Sequence, residues 1–324
     1  MKARHTSLAV RLGVLSLGLG LLADRIAAGE PPAPEARQLI IIDAQGKEQK
    51  VKSWQFTQGT RRLAWLAPAV APVKPDDPKA APKTVAGPEA LVFREENSTT
   101  FVEGIETLIP LDRLRSITFD NDKQSVTVQV STGAAAKEVV EVQGTTKYRG
   151  INKLTIEAEV DLGELGIAEA KFQGGAPQGG IRGLTFPIIQ AVAADPMRPL
   201  AKITATDKGT HEAAGLQPLY RLADGRERLI PLLMFKKTVK IDLAKLRNLR
   251  HVESTDPDGG SSWIVTLHDG AEHTLTLLPI ISLEDGQEAK LIGLVGTVPA
   301  GYKLFPLHTI AEVQFESKPE VKEE

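Results

Sequence analysis

Histidines and carboxylates are the side chains in this chain whose spacing could do chemistry. Six histidines are present, and His268 and His273 flank the turn-forming pair Asp269-Gly270. With that pair as a two-residue hairpin loop, His268 would oppose Ala271 and Thr266 would oppose His273. Both imidazoles would then lie diagonally on one sheet face. Diagonal Cβ atoms sit about 7 Å apart, a span one metal ion can bridge when an acid such as Glu272 joins. The same spacing equally suits two solvent-facing hairpin residues with no ligand. His211, next to Glu212, and His308 stand alone.

Acids are plentiful at Glu95, Glu96, Glu103, Glu106, Asp112, Asp120 and Asp122. A paired-acid hydrolase would need two of them brought together from distant strands. Their places at strand ends and turns fit solubility and capping instead. The chain has no Gly-x-Ser-x-Gly elbow and no His-Glu-x-x-His pair. It has no cysteine, so thiol catalysis, disulfides, thiolate metal sites and a lipoprotein anchor are excluded. Gly174 to Gly183 is glycine-rich but lacks the Gly-Lys-Ser/Thr ending of a phosphate loop. It reads as a flexible closing loop, and no cofactor is called for. Lys236, Lys237, Lys240, Lys245, Arg247 and Arg250 form the densest basic run. With acids interspersed, few aromatics and a net charge of −2, it reads as a solvated face, and no nucleic-acid partner is expected.

Aromatic side chains offer a second kind of site. Val51 to Phe56 and Arg61 to Leu66 read as a hairpin about Thr57-Gln58-Gly59-Thr60. Trp54 would face Leu63, Phe56 would face Arg61 and Lys52 would face Trp65. Trp54, Phe56, Leu63 and Trp65 then share one face. A core face is the first reading. An exposed platform of Trp54, Phe56 and Trp65 stacking on sugar rings is the alternative.

One stretch must position whatever the chain carries, because it occurs in three copies. Ile109-Pro110-Leu111-Asp112-Arg113-Leu114-Arg115-Ser116-Ile117-Thr118-Phe119 is the first, Ile241 to His251 the second and Phe305 to Phe315 the third. Leu111, Leu114 and Ile117 are three apart, as are Leu243, Leu246 and Leu249, and Leu307, Ile310 and Val313. This is the spacing of a short helical turn. Pro110, Pro306 and Asp242 suit the start of that turn. The period then changes to two, ending at Phe119, His251 and Phe315. The stretch reads as one helical turn running into a half-buried strand. A weaker echo runs from Glu164 to Phe172.

The N-terminus reads as a signal peptide over residues 1–28. Lys2, Arg4 and Arg11 precede the apolar run Leu12 to Ala23, and Ala27, Ala28 and Gly29 supply small residues for cleavage. That run is below the ~20 residues needed to span a bilayer. Cleavage would leave 35 basic and 40 acidic side chains, with no transmembrane segment in the mature chain. A secreted or periplasmic location is expected. Residues 29–38 read as a spacer. A first β-module covers 39–183, interrupted by a Pro-rich disordered loop at 67–88. A connector follows at 184–199, a second β-module at 200–316 and a charged tail at 317–324. The Asn97-Ser98-Thr99 sequon would be silent in an exported bacterial protein.

The fold class expected is all-β: two tandem duplicated modules of sandwich or small-barrel type. Phe119 and His251 are 132 residues apart, and Gly133 and Gly270 are 137 apart; these nearly constant offsets carry the duplication. Leu219 to Leu222 is aligned with Leu91 to Arg94, and Trp263 to Leu267 with Val126 to Val130.

The segment Gly144-Thr145-Thr146-Lys147-Tyr148-Arg149-Gly150-Ile151-Asn152-Lys153, continuing to Asp161, resembles a family of uncharacterised exported bacterial β-repeat proteins. Ser98-Thr99-Thr100 and Leu108-Ile109-Pro110-Leu111 add to the likeness. It implies export and a shared fold over most of the mature chain, and no activity. The Pro-Leu-x-x-Ile-x-x-Ile-x-Phe rhythm is also similar to small Sm-like or SH3-like barrel repeats.

Three functions follow as expectations. The first is a non-catalytic exported binding or scaffold protein of the bacterial cell envelope, with an envelope protein or polysaccharide as partner. The second is a carbohydrate-binding module using Trp54 and Trp65. The third is a carboxylate-dependent hydrolase.

Overall fold

The computed structural model describes residues 38–51, 53–67, 87–94, 104–132, 138–145, 154–176, 180–186, 200–236, 239–252, 261–283 and 286–316. The expected signal segment, the spacer up to Arg37, residues 68–86 of the Pro-rich loop, the sequon, residues 146–153 of the segment that carries the resemblance, residues 187–199 of the expected connector and the tail lie outside the described residues. The described chain is all-β, built of antiparallel sheets and single 3-10 turns.

The first half contributes β1 (Leu39–Ile42), β2 (Glu48–Val51), β3 (Trp54–Gln58), β4 (Thr60–Arg62), β5 (Glu89–Phe93), β6 (Glu106–Pro110), β7 (Leu114–Asp120), β8 (Ser125–Thr132), β9 (Glu138–Thr145), β10 (Thr155–Asp161), β11 (Ile167–Gln173) and β12 (Gly183–Thr185). One sheet runs β9-β8-β7-β12-β1-β2, and a second runs β11-β10-β3. In β8 the alternation is direct: Val126, Val128 and Val130 are buried, while Thr127 and Gln129 are not. Leu39 and Ile41 of β1, Ile117 and Phe119 of β7, and Ile156 and Val160 of β10 close one core between these sheets.

The second half contributes β13 (Leu200–Ala205), β14 (Thr210–Leu222), β15 (Glu227–Leu229), β16 (Leu232–Phe235), β17 (Val239–Asp242), β18 (Leu246–Val252), β19 (Ser262–Leu267), β20 (Glu272–Thr276), β21 (Ile280–Ser282), β22 (Glu288–Val298), β23 (Gly301–Pro306) and β24 (Ile310–Phe315). Its sheet runs β20-β19-β18-β24-β13-β14-β22-β23 and then continues into β6-β5-β4 of the first half. β16 pairs with β17 separately. The order β20-β19-β18-β24-β13-β14 has the same pattern of connections as β9-β8-β7-β12-β1-β2.

β14 serves two neighbours because it bends. Gly215 has a φ of +60°, and the pairing with β22 slips between Ala214 and Gln217. Its first part therefore pairs with β13 and its later part with β22. Pro218, which has no N–H to give, lies just past the slip, where its carbonyl accepts from the Ile230 N–H.

Each copy of the repeated stretch is a strand, a 3-10 turn and a second strand. The turns are Leu111–Arg113, Leu243–Lys245 and Leu307–Thr309. Pro110, Asp242 and Pro306 precede them, and the Asp242 carboxylate accepts from the Ala244 N–H at 2.9 Å. Leu114, Leu246 and Ile310 leave the turns fully inward. The turns at 111 and 243 sit at matching places in the two halves. The turn at 307 links β23 to β24, where the first half has the Gly174–Gly183 loop instead. The weak echo is also a 3-10 turn, Gly163–Leu165, but it joins two strands that pair with each other.

One expected hairpin and one expected correspondence between the halves are not found. The hairpin 51–56/61–66 does not form: β3 pairs with β10, β4 pairs with β5, and Ala64–Leu66 is a 3-10 turn. The expected register would have set the Arg61 guanidinium against Phe56. Phe56 instead opposes Ile156, and Arg61 reaches two acids. Leu91 to Arg94 corresponds in position to β16, not to Leu219–Leu222. Leu91 opposes Ile109 just as Leu233 opposes Ile241.

Candidate ligand cleft between the halves

The halves meet along β6 and β23, where Tyr302 opposes Leu108, Lys303 opposes Thr107 and Leu304 opposes Glu106. A small third core seals this seam with Leu63, Ala90 and Leu108 from one side and Leu219, Val295 and Leu304 from the other. Beside it, Arg61 bonds Glu227 and lies 3.8 Å from Glu106, while Arg94 lies 3.5 Å from Glu106. Arg221 reaches the second oxygen of Glu227 at 3.1 Å. The backbones approach so closely that a Cβ on Gly301 would stand 2.4 Å from the Leu108 carbonyl oxygen.

At one end of the seam lies a cleft of about 380 Å³. Val140, Glu141, Val142 and Gln143 of β9 form one wall. Glu212 of β14 and the Val298-Pro299-Ala300 turn, which leads from β22 to β23, form the other; Thr107 and Lys303 also line it. Lys303 is 7% exposed, an unusual burial for lysine. Its position follows from strand alternation. It faces the same way as Gly296 across β22, and there a Cβ would come within 2.7 Å of the Ala213 Cβ. The Lys303 Nζ lies 3.5 Å from His211 Nδ1, and the His211 ring centroid is 5.7 Å from that of Phe305. At the rim Glu141 and Glu212 are exposed, and Gln143 donates to Glu141 at 2.9 Å. The cleft thus combines an inward ammonium, outer carboxylates and apolar side chains, with the His211 imidazole beside the ammonium. That set suits a small ligand with an anionic group.

The sequence-derived candidates fall elsewhere. His268 and His273 are both exposed, and they do not form the diagonal pair. The loop has three residues, His268-Asp269-Gly270, and Val265 opposes His273. Gly270, with a φ of +86°, supplies the extra residue, and Asp269 accepts from the Ala271 N–H. Among the described residues no group of three or more His, Asp or Glu side chains could hold a metal.

Trp54 and Trp65 lie in different clusters. Trp54 meets Phe56 and Phe186 edge-on at 5.4 and 5.7 Å in the first core. Trp65 packs against the seam core, with the Arg61 guanidinium 5.4 Å above its ring. Phe56 is 8% exposed. In the repeated stretches Pro110, Leu114, Ile117, Phe119, Leu243, Leu246, Leu249, Pro306, Ile310 and Val313 are buried. Leu111, Asp242, Leu307 and Phe315 are half-buried. His251 is exposed, its ring 5.0 Å edge-on from Trp263.

The carboxyl shifts sit on exposed turns. The Lys123 backbone N–H, helped by its ammonium, holds Asp120 below the usual carboxylate range, and the Arg226 backbone N–H does the same for Asp224. Reading motifs missed Lys303, and it set His211 and Glu212 aside as isolated. The available signal was Lys303 itself, a charge at a core position of the apolar run Tyr302 to Pro306. No helix among the described residues is long and apolar enough to cross a membrane. Comparison with family models, curated proteins and solved structures gave no match.

Proposed function

We propose that this chain is an exported, non-catalytic binding protein of the bacterial cell envelope, built by tandem duplication of one β-module, and that it takes its ligand in the seam cleft. The observation that carries the binding reading is Lys303, a buried cation lining an open cleft where two halves meet. The ligand's anionic group meets Lys303 and His211, and a cationic group on the same ligand meets Glu141 or Glu212. Amino acids and peptide termini have this chemistry. Support for duplication is the shared strand order of the two sheets and the matching turns at 111 and 243. Export rests on the residue pattern at the N-terminus. A glycan reading is less favoured, because Trp54 and Trp65 pack into separate cores.

Calorimetric titration with alanine, dialanine, acetate, methylamine and glucose tests this reading. Alanine or dialanine should bind more tightly than acetate or methylamine. Lys303→Met, which keeps the stem and removes the charge, should weaken binding at least ten-fold, the scale of one lost charge-assisted contact. Equal affinity in that variant, or preference for glucose, refutes the cleft assignment. Turnover of any of these ligands refutes the non-catalytic one.

A further inference from the structure

The two halves share a strand order, yet their outer edges differ in what covers them. In the second half the hairpin β22–β23 lies on β14, and the outer edge of β23 takes β6. The corresponding hairpin of the first half is β10–β11, laid on β3, which follows β2. Among the described residues β11 pairs with β10 alone. The strand that would cover it has a counterpart too. β6 lies between β5 and β23, whereas β17, its equivalent, pairs among the described residues only with β16. Among the described residues, then, one β23-like edge and one β6-like edge take no further strand, and these edges are complementary.

We propose that β11 of one molecule receives β17 of a second copy of this chain, by the pairing that joins β23 to β6 within a single chain. Three observations support that occupant. The internal pair supplies a template of this chain's own making. Apolar side chains are exposed at both edges: Leu165, in the turn before β11, is 85% and Ile167, its first residue, 73% exposed, and Val239 is 36% exposed at the start of β17. Charge agrees as well. Phe172 opposes Ile156 as Phe305 opposes Leu294, so Phe172 takes the place of Phe305. Carrying the Tyr302–Leu108 register over then sets Glu169 opposite Lys240 and Ala170 opposite Val239. Opposite charges directly across a strand pair stabilise it, and a bare edge recruits a strand. The contact is head-to-tail: half one, half two, half one of the next molecule. Such a contact closes into a ring or extends as a filament.

Sedimentation of the purified chain tests this, since the pairing rests on the match between halves and not on the ligand cleft. Mass should rise with concentration above that of one chain, which is 34.9 kDa for all 324 residues and less once residues 1–28 are removed. Glu169→Lys and Lys240→Glu should each weaken association at least ten-fold, and an equimolar mixture of the two should restore it, because both junctions then pair opposite charges. Both residues are exposed, and circular dichroism checks that the variants fold. If a reversal perturbs folding, Glu169→Gln and Lys240→Gln replace it, and each should weaken association several-fold. A chain that stays at one-chain mass throughout its soluble range overturns the proposal. So do single variants that associate like the parent, or a mixture of reversed variants that does not recover.

Discussion

Tyr220 shows how one side chain ties the interior to pH. Its hydroxyl donates to the Leu232 carbonyl at 2.9 Å with no surface exposed. Burial pushes its ionisation well above the ordinary value of 10.0. A raised phenol contributes stability in full below the unfolded pKa and loses it as pH rises toward the folded one. The chain should therefore lose stability as pH climbs past about 10, where only the unfolded phenol ionises. Tyr220→Phe should cost about 1 kcal/mol at neutral pH, because the Leu232 carbonyl loses its donor. Its deficit should shrink in alkali, since phenylalanine does not ionise. Urea unfolding at a series of pH values reads both effects, and a deficit that grows with pH contradicts them. At this scale the sequence was only partly legible. Type and spacing predicted the alternating core of β8. The partners of Lys303, which come from positions 107, 211 and 296, follow only from strand register.

At the scale of elements, the repeated stretch shows what local pattern can specify. Spacing of three followed by spacing of two is enough to read a turn running into a strand. Leu114, Leu246 and Ile310 sit at the joint with 0%, 0% and 1% exposure. Changing any one to Asp should cost about 4 kcal/mol or more, since each buries an unpaired carboxylate or forces the joint open. Thermal unfolding checks this, and melting close to the parent for all three would remove the joint from the core. Pairing was harder to read than pattern. The loop at 268–270 hinges on one glycine φ, and one extra loop residue moves the partner of His273 from Thr266 to Val265. The hairpin expected at 51–66 failed for a different reason. Each of its strands had a better partner far along the chain, and no local rule compares the two.

Across the whole molecule, the seam makes two halves into one cooperative body. Glu227, with 10% of its side chain exposed, holds Arg61 from the other half and Arg221 from its own. Glu227→Gln should cost about 2 kcal/mol, the scale of hydrogen bonds to charged groups in a partly shielded site. Trp54 reports on the first half and Trp263 on the second. In variants that keep only Trp54 or only Trp263 of the three tryptophans, the urea midpoints should coincide, and Glu227→Gln should lower both together. Separate midpoints would mean that the shared sheet does not couple the halves. All-β character was legible from composition and period. The continuous sheet was not, because an expected pair of tandem modules suggests beads, whereas β23 borrows β6 from the first half.

That borrowing has a consequence in time. A nascent chain emerges from the ribosome N-terminus first. β6 then waits as a bare edge until Gly301–Pro306 has been made. Leu108 cannot meet Tyr302 any earlier. Partial products keep an unsatisfied strand and an unsealed apolar seam, which makes them substrates for holding chaperones and for proteolysis. Truncation anywhere before residue 301 therefore exposes the first half as well as shortening the second. The fold carries its own check that synthesis has passed β23.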